Sequence, residues 1–179
     1  AATLGSGSAL AQNDDDEMDD EDEQGNGNGN GGASENRFRV TVTNLTGGQA
    51  FTPPAVALHE PSVSVFSVVE PANEPIQELA ENGNLQPLLD LIEDTPEIRA
   101  AAAGDAPLVP EADPGDTGNP YYATLELSAD ASATHLTFVS MLIATNDGIV
   151  GLDTVALPKA VNESETHYAN GYDVGTEEN

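Results

Sequence analysis

Residues 134–144, THLTFVSMLIA, carry apolar side chains at both odd and even positions over most of their length. A strand that alternates apolar and polar residues covers a core with one face only. A strand that is apolar on both faces is buried between two layers. This stretch is therefore predicted to be a central strand of the core.

Other strand patterns lie on either side of it. Residues 38–44, FRVTVTN, alternate apolar residues with Arg39, Thr41 and Thr43, as a half-buried strand does. The remaining β signals are AVALHEPSVSVFSV (55–68, interrupted by Pro61), YYATLELS (121–128), GIVGLD (148–153) and TVAL (154–157), of which the last two make one or two strands.

Three short helices are expected in the middle of the chain. EPIQELAENG (74–83) has Pro75 near its start and Gly83 as a stop, and LQPLLDLIED (85–94) is a second short helical segment. TPEIRAAAAG (95–104) has Thr95 as a candidate N-cap and Gly104 after its end. Short strands separated by turns, with small helices confined to one insertion, predict an all-β chain folded as an antiparallel β-sandwich.

The charge of the chain is extreme. There are 32 acidic and four basic residues, and the net charge is −28. Nucleic acids and anionic membrane surfaces both require a basic footprint, so neither is an expected partner. Such a charge destabilises a compact state unless salt screens it, which predicts a protein adapted to high salt; an ordinary acidic secreted protein is the alternative.

The N-terminal part divides into two zones. Residues 1–11, AATLGSGSALA, resemble the end of an export signal with an A-x-A cleavage site, although an ordinary terminus would look similar. Residues 12–36 contain nine acids in the ten residues 14–23, followed by a Gly- and Asn-rich stretch, and are predicted to be a disordered linker. Residues 37–179 are the predicted sandwich domain. No stretch has the length of a membrane span, so no membrane insertion is expected.

Carboxylates near strand ends are the candidate site residues. Asp147 follows the predicted central strand, Asp153 follows the next, and Asp173 and Glu177 flank a Gly-Thr turn. Calcium takes six to eight oxygen ligands, which loops at one end of a sandwich can supply. In so acidic a chain the same residues also fit a solvated surface, and the spacing alone leaves both interpretations open.

Four segments, taken together and in order, resemble the spondin domain, the N-terminal module of F-spondin and mindin, in a secreted member of haloarchaeal type. They are VTVTNLTGGQAFTPPAVALHE (40–60), IQELAENGN (76–84), SMLIATNDGIVGLD (140–153) and GYDVGTEEN (171–179). The resemblance implies a C2-like sandwich, an extracellular location and calcium bound at one edge. It implies Asp147, Asp153, Asp173 and Glu177 as the ligands. Gly148 and Val174 depart from the pattern, as does the absence of cysteine.

The leading hypothesis is a secreted or cell-surface, non-catalytic module that binds calcium and takes part in adhesion, with an extracellular protein or glycan as its partner. No enzyme is expected, because the chain lacks G-x-S-x-G and shows no nucleophile, base and orienting residue in a recognisable pattern. A hydrolase that uses loop carboxylates, or a purely structural protein of saline surroundings, are the alternatives. His59 and Glu60 fit a structural role better than a catalytic or metal-binding one.

Overall fold

The computed structural model describes residues 2–6, for their backbone pairing, and residues 35–68 and 70–176. Nine strands form two antiparallel sheets. The strands are β1 (Ala2–Ser6), β2 (Asn36–Thr43), β3 (Ala55–His59), β4 (Ile98–Ala103), β5 (Tyr122–Ala129), β6 (His135–Met141), β7 (Gly148–Ala156), β8 (Ser164–His167) and β9 (Asn170–Asp173). The four-stranded sheet has the order β5-β2-β1-β8, and the five-stranded sheet has the order β4-β3-β6-β7-β9.

The two sheets pack face to face, which confirms the predicted all-β sandwich. Phe38, Val40 and Val42 of β2 meet residues such as Leu136 and Phe138 of β6 in one buried cluster. Alternate residues along each strand thus supply the core between the sheets.

A second apolar cluster covers the outer face of the five-stranded sheet. Helices α1 (Glu74–Asn82) and α2 (Gln86–Glu93) pack there against residues of β3, β6 and β7, including Val139 and Met141. Strand β6 is central in its sheet and buried on both faces, as THLTFVSMLIA predicts. Its two faces meet different layers, one of strands and one of helices.

Helix α1 begins and ends at the residues that the sequence indicates. Asn73 caps α1 by accepting from the backbone N–H of Ile76, Pro75 lies in the first turn, and Gly83 ends the helix at φ 64°. A left-handed residue at this position favours glycine, because it has no Cβ to clash.

The prediction of a third helix, over residues 95–104, is wrong. The alanine-rich stretch forms strand β4 instead, which pairs with β3 from Ala55 opposite Ala103 to His59 opposite Ile98. Alanine favours helices in isolation, but Ala100 and Ala102 pack against the core between the sheets, so tertiary contacts override the local preference.

Residues 148–153 and 154–157, predicted as one or two strands, form one strand, β7, which has a register shift opposite β6.

The predicted signal remnant (1–11) and linker (12–36) fall largely outside the described residues. Within that zone, Ala2–Ser6 pair with β2 on one side and β8 on the other, and Asn36 belongs to β2.

Candidate metal site

The turn between β6 and β7 is fixed by one threonine. Thr145 Oγ1 donates to the carbonyl oxygen of Leu142 at 2.7 Å and accepts from the backbone N–H of Gly148 at 2.9 Å. The backbone N–H of Leu142 donates to the carbonyl oxygen of Gly148 at 2.8 Å and closes the turn. A Cβ at position 148 would lie 2.5 Å from Thr145 Oγ1, so the close approach requires glycine here. Asp147 therefore occupies a rigid position just before β7.

The pairing of β7 with β9 brings the second carboxylate to this turn. Gly148 lies opposite Asp173 in the register, so Asp147 and Asp173 are at the same end of neighbouring strands. Asp173 Oδ1 accepts from the backbone N–H of Gly175 at 2.8 Å, and Gly175 has φ 72°. This turn directs the chain back over Asp147.

Asp147 holds the residues that follow β9. The residue is 5% exposed, and its Oδ2 accepts from the backbone N–H of Thr176 at 3.1 Å. Its carbonyl oxygen accepts from the backbone N–H of Val174 at 3.1 Å. A buried carboxylate requires such donors, because desolvation without them costs several kcal/mol. Asp147 thus has a definite structural function, whatever else it binds.

An open cleft of about 450 Å³ lies over this turn. Besides the two aspartates, Thr145, Asn146, Leu142, Gly148, Gly171 and Tyr172 line it. Two carboxylates and a carboxamide are donor types that calcium prefers, so the residues present fit this ion. In the part of the chain that the structure describes, no three Asp, Glu, His or Cys side chains converge closely enough to hold a metal by themselves. Any cation here would take further oxygens from Asn146, the backbone or water.

Asp153, the third predicted ligand, is not among the residues that line this cleft. Asp153 lies six positions along from Asp147, which at about 3.3 Å per residue places it roughly 20 Å away. Its carboxylate accepts from Thr154 Oγ1 at 2.8 Å, so the structure does not bring it to Asp147. Glu177 lies outside the described residues.

Asn146 is a polar cleft residue that was not among the predicted ligands. The available signal was its position directly before Asp147 in TNDG, because amide oxygens accompany carboxylates around calcium.

His59 has the structural role that the sequence favours. It is fully buried, its Nδ1 donates to the carbonyl oxygen of Glu60 at 2.8 Å, and its Nε2 accepts from Thr137 Oγ1 at 2.9 Å. The carbonyl can only accept, which fixes the proton on Nδ1. Burial lowers the pKa of His59 below its ordinary value, while the Glu60 carbonyl partly opposes the shift. His135 stacks nearby, at 6.3 Å between ring centres.

No protein-family model matches the chain, and no curated protein matches it as a relative. The resemblance to the spondin domain thus stays a prediction from the four quoted segments. Among the described residues, neither helix has the length and apolar character needed to cross a membrane.

Proposed function

We propose that this chain is a secreted or cell-surface, non-catalytic binding module of the spondin type that binds calcium in the cleft between the β6–β7 turn and β9. The observation that carries the proposal is that Asp147, a residue only 5% exposed, lines an open cleft together with Asp173. The net charge of −28 favours cation binding throughout, and this cleft combines two carboxylates that accept from backbone N–H groups with the amide side chain of Asn146.

Some residues orient the two carboxylates, and another supplies a further oxygen ligand. Thr176 holds one oxygen of Asp147, and Gly175 holds one oxygen of Asp173, which orients both carboxylates before an ion arrives. Asn146 would add a neutral oxygen. A bound calcium ion would link the β6–β7 turn to the segment after β9 and stiffen this end of the sandwich, as a module for extracellular adhesion requires. The extracellular partner would be a protein or a glycan.

The decisive experiment is thermal unfolding of the full chain in about 2 M KCl, where the Debye length is only a few Å. The protein is stripped with a chelator and measured alone, with calcium and with magnesium. A ligand that binds only the native state stabilises it by RT ln(1 + [L]/Kd), about 2.7 kcal/mol at a hundredfold excess over Kd. Calcium should raise the melting temperature much more than magnesium does.

Matched variants locate the ion. Asp147→Asn and Asp173→Asn should lose the calcium-specific rise in melting temperature, whereas Asp153→Asn in β7 should keep it. Glu126→Gln, exposed on the opposite sheet, controls for general loss of negative charge. An equal rise in the wild type and Asp147→Asn would refute the site and leave these aspartates as part of a salt-adapted surface. The location is checked separately, by finding the chain outside its cells and sequencing its N-terminus there.

A further inference from the structure

Strand β1 has an unusual connection to the sheet it completes. It is an inner strand, with Ala2 opposite Val42 of β2 on one side and His167 of β8 on the other. In the strand order, β8 joins the four-stranded sheet through β1. The backbone groups of β2 and β8 that face this position therefore form a slot that accepts one extended segment, and we call it the β2–β8 slot.

The chain between β1 and β2 is much longer than this pairing requires. Ser6 lies opposite Phe38, so the two strands meet as a hairpin would. Hairpin connections usually take two to five residues, but roughly thirty residues separate Ser6 from Asn36. At about 3.3 Å per residue, a connection of that length reaches on the order of 100 Å when extended. A strand on such a connection can reach the slot of a neighbouring molecule.

We propose that the β2–β8 slot is an interface between copies of this chain, in which residues 2–6 of one molecule take the place of the same residues in another. An exchanged strand makes the same main-chain hydrogen bonds as the original one, so exchange costs nothing in pairing. Residues 1–12 carry no charged side chain, and the strong repulsion between two acidic molecules does not act on the exchanged segment itself.

Protein concentration and salt set the balance between the closed and exchanged forms. A strand tethered to its own slot has an effective concentration of order millimolar or less for a long connection, so exchange is favoured as the protein approaches that concentration. The exchanged form also brings together two chains that each have a net charge of −28. High salt screens their repulsion and therefore favours exchange.

The absence of native cysteine allows a direct test by disulfide trapping. Thr3 lies opposite Thr41 in the register, and opposed positions in antiparallel strands have Cα atoms about 4.5 to 5.5 Å apart, a distance that a disulfide spans. Thr3→Cys and Thr41→Cys are made in separate chains, unfolded together, refolded together and oxidised. Thr124→Cys replaces Thr41→Cys as the matched control, because Thr124 pairs with Thr41 from the far side of β2 and lies about 10 Å from β1.

At ~1 mM protein and high salt, the Thr3 and Thr41 variants should give at least about tenfold more linked dimer than the Thr3 and Thr124 variants. Peptide mapping identifies the bond. The double variant Thr3→Cys/Thr41→Cys should form an internal disulfide at ~1 µM, where the closed monomer dominates. Equal yields from the two mixtures would overturn the proposal, as would failure of the internal bond to form.

A second measurement avoids cysteine altogether. Light scattering of the unmodified chain should show a dimer fraction that rises with protein and with KCl concentration. Deletion of residues 1–11 should abolish that fraction, and the free peptide AATLGSGSALA should suppress it in the full chain. A truncated chain that dimerises as well as the full one would contradict strand exchange. This result is independent of whether the cleft at Asp147 binds calcium, and strand exchange requires a chain that is not cleaved at the predicted A-x-A site, since cleavage there would remove β1.

Discussion

The backbone N–H of Thr176 lies 3.1 Å from Asp147 Oδ2 and joins the end of β9 to the turn before β7. The two residues are 29 positions apart in the chain. An amide N–H can donate to a carboxylate and, more weakly, to the oxygen of a carboxamide, whereas a cation distinguishes strongly between the two. Substitutions at position 147 can therefore separate anchoring from ion binding.

Asp147→Asn and Asp147→Ala should differ in the absence of calcium. Asparagine keeps an acceptor for Thr176 and should change the free energy of unfolding little. Alanine leaves that N–H without its partner and should cost about 1 to 3 kcal/mol. Denaturant unfolding of the chelated proteins measures both. Equal losses in the two variants would show that the charge, rather than the hydrogen bond, holds the segment.

Gly151→Ala should destabilise the fold by about 1 to 3 kcal/mol, the usual cost of overpacking. A Cβ at this position would lie 2.8 Å from the carbonyl oxygen of Phe138 and 2.9 Å from Cζ of Phe66. The Phe138 carbonyl belongs to the paired strand β6 and cannot move aside cheaply. Gly47→Ala is the control, because nothing lies within 4 Å of its added Cβ. Similar unfolding midpoints for the two variants would argue against this close packing.

Asn44→Ala should also destabilise the protein, by about 2 to 3 kcal/mol. Asn44 is fully buried, and its Nδ2 donates to the carbonyl oxygens of Gln49 and Leu108 at 2.8 and 3.0 Å. Its Oδ1 accepts from Thr46. Alanine would leave these groups buried with fewer partners. Asn82→Ala, at an exposed position on α1, should be nearly neutral in the same denaturant measurement.

Stability should fall as the pH drops below about 6.5, through His59. An unfolded histidine binds a proton near that pH. Burial lowers the pKa of His59 in the folded protein, so the unfolded state binds more protons between the two pKa values. Stability therefore rises with pH across that window and is fully present above it. NMR titration of the imidazole between pH 8 and 5, with unfolding midpoints at the same pH values, measures the linkage. His167→Gln should retain it, and an imidazole that titrates above pH 6.5 would contradict it.

Salt should stabilise the chain more than it stabilises a less acidic variant. The charge of −28 repels itself at low ionic strength, and KCl screens this repulsion. The triple variant Glu111→Gln/Asp113→Asn/Asp116→Asn removes three exposed charges from one loop. It should gain stability at about 0.1 M KCl and little at about 2 M, where screening is already strong. Parallel salt curves for the two proteins would show that surface repulsion is not the cause.

Much of the fold follows from patterns that are local in the sequence. Strand β6 is apolar on both faces, which predicts a central strand, because both faces are buried only when a layer packs on each side of the sheet. The alternation of β2 predicts a strand with one face on the core. The helix predicted for residues 95–104 was wrong for the opposite reason. The conformation of its alanines is determined by contacts with the core and with the partner strand β3, and not by their intrinsic helix preference.

The candidate site was less predictable, because distance along the chain does not give distance in space. Asp153 is near Asp147 in sequence but lies six positions further along, in the second half of β7, whereas Asp173 is remote in sequence and lies opposite Gly148, next to Asp147. Only the pairing of β7 with β9 decides which carboxylate is the neighbour. The short strands β8 and β9 carry little apolar pattern, so the sequence did not reveal that pairing.

The chain leaves the five-stranded sheet after β3, forms both helices and returns to the sheet as β4. This connection has a consequence for how the architecture can vary. Strands β3 and β4 are adjacent and antiparallel, with His59 opposite Ile98, so both helices lie within what is topologically one enlarged hairpin loop. Shortening that loop to a tight turn would leave the strand order of both sheets unchanged. It would expose Val139 and Met141 to water, however. A shortened descendant would have to replace these residues with polar ones, and the alternating pattern of an ordinary one-sided strand would then appear in place of THLTFVSMLIA.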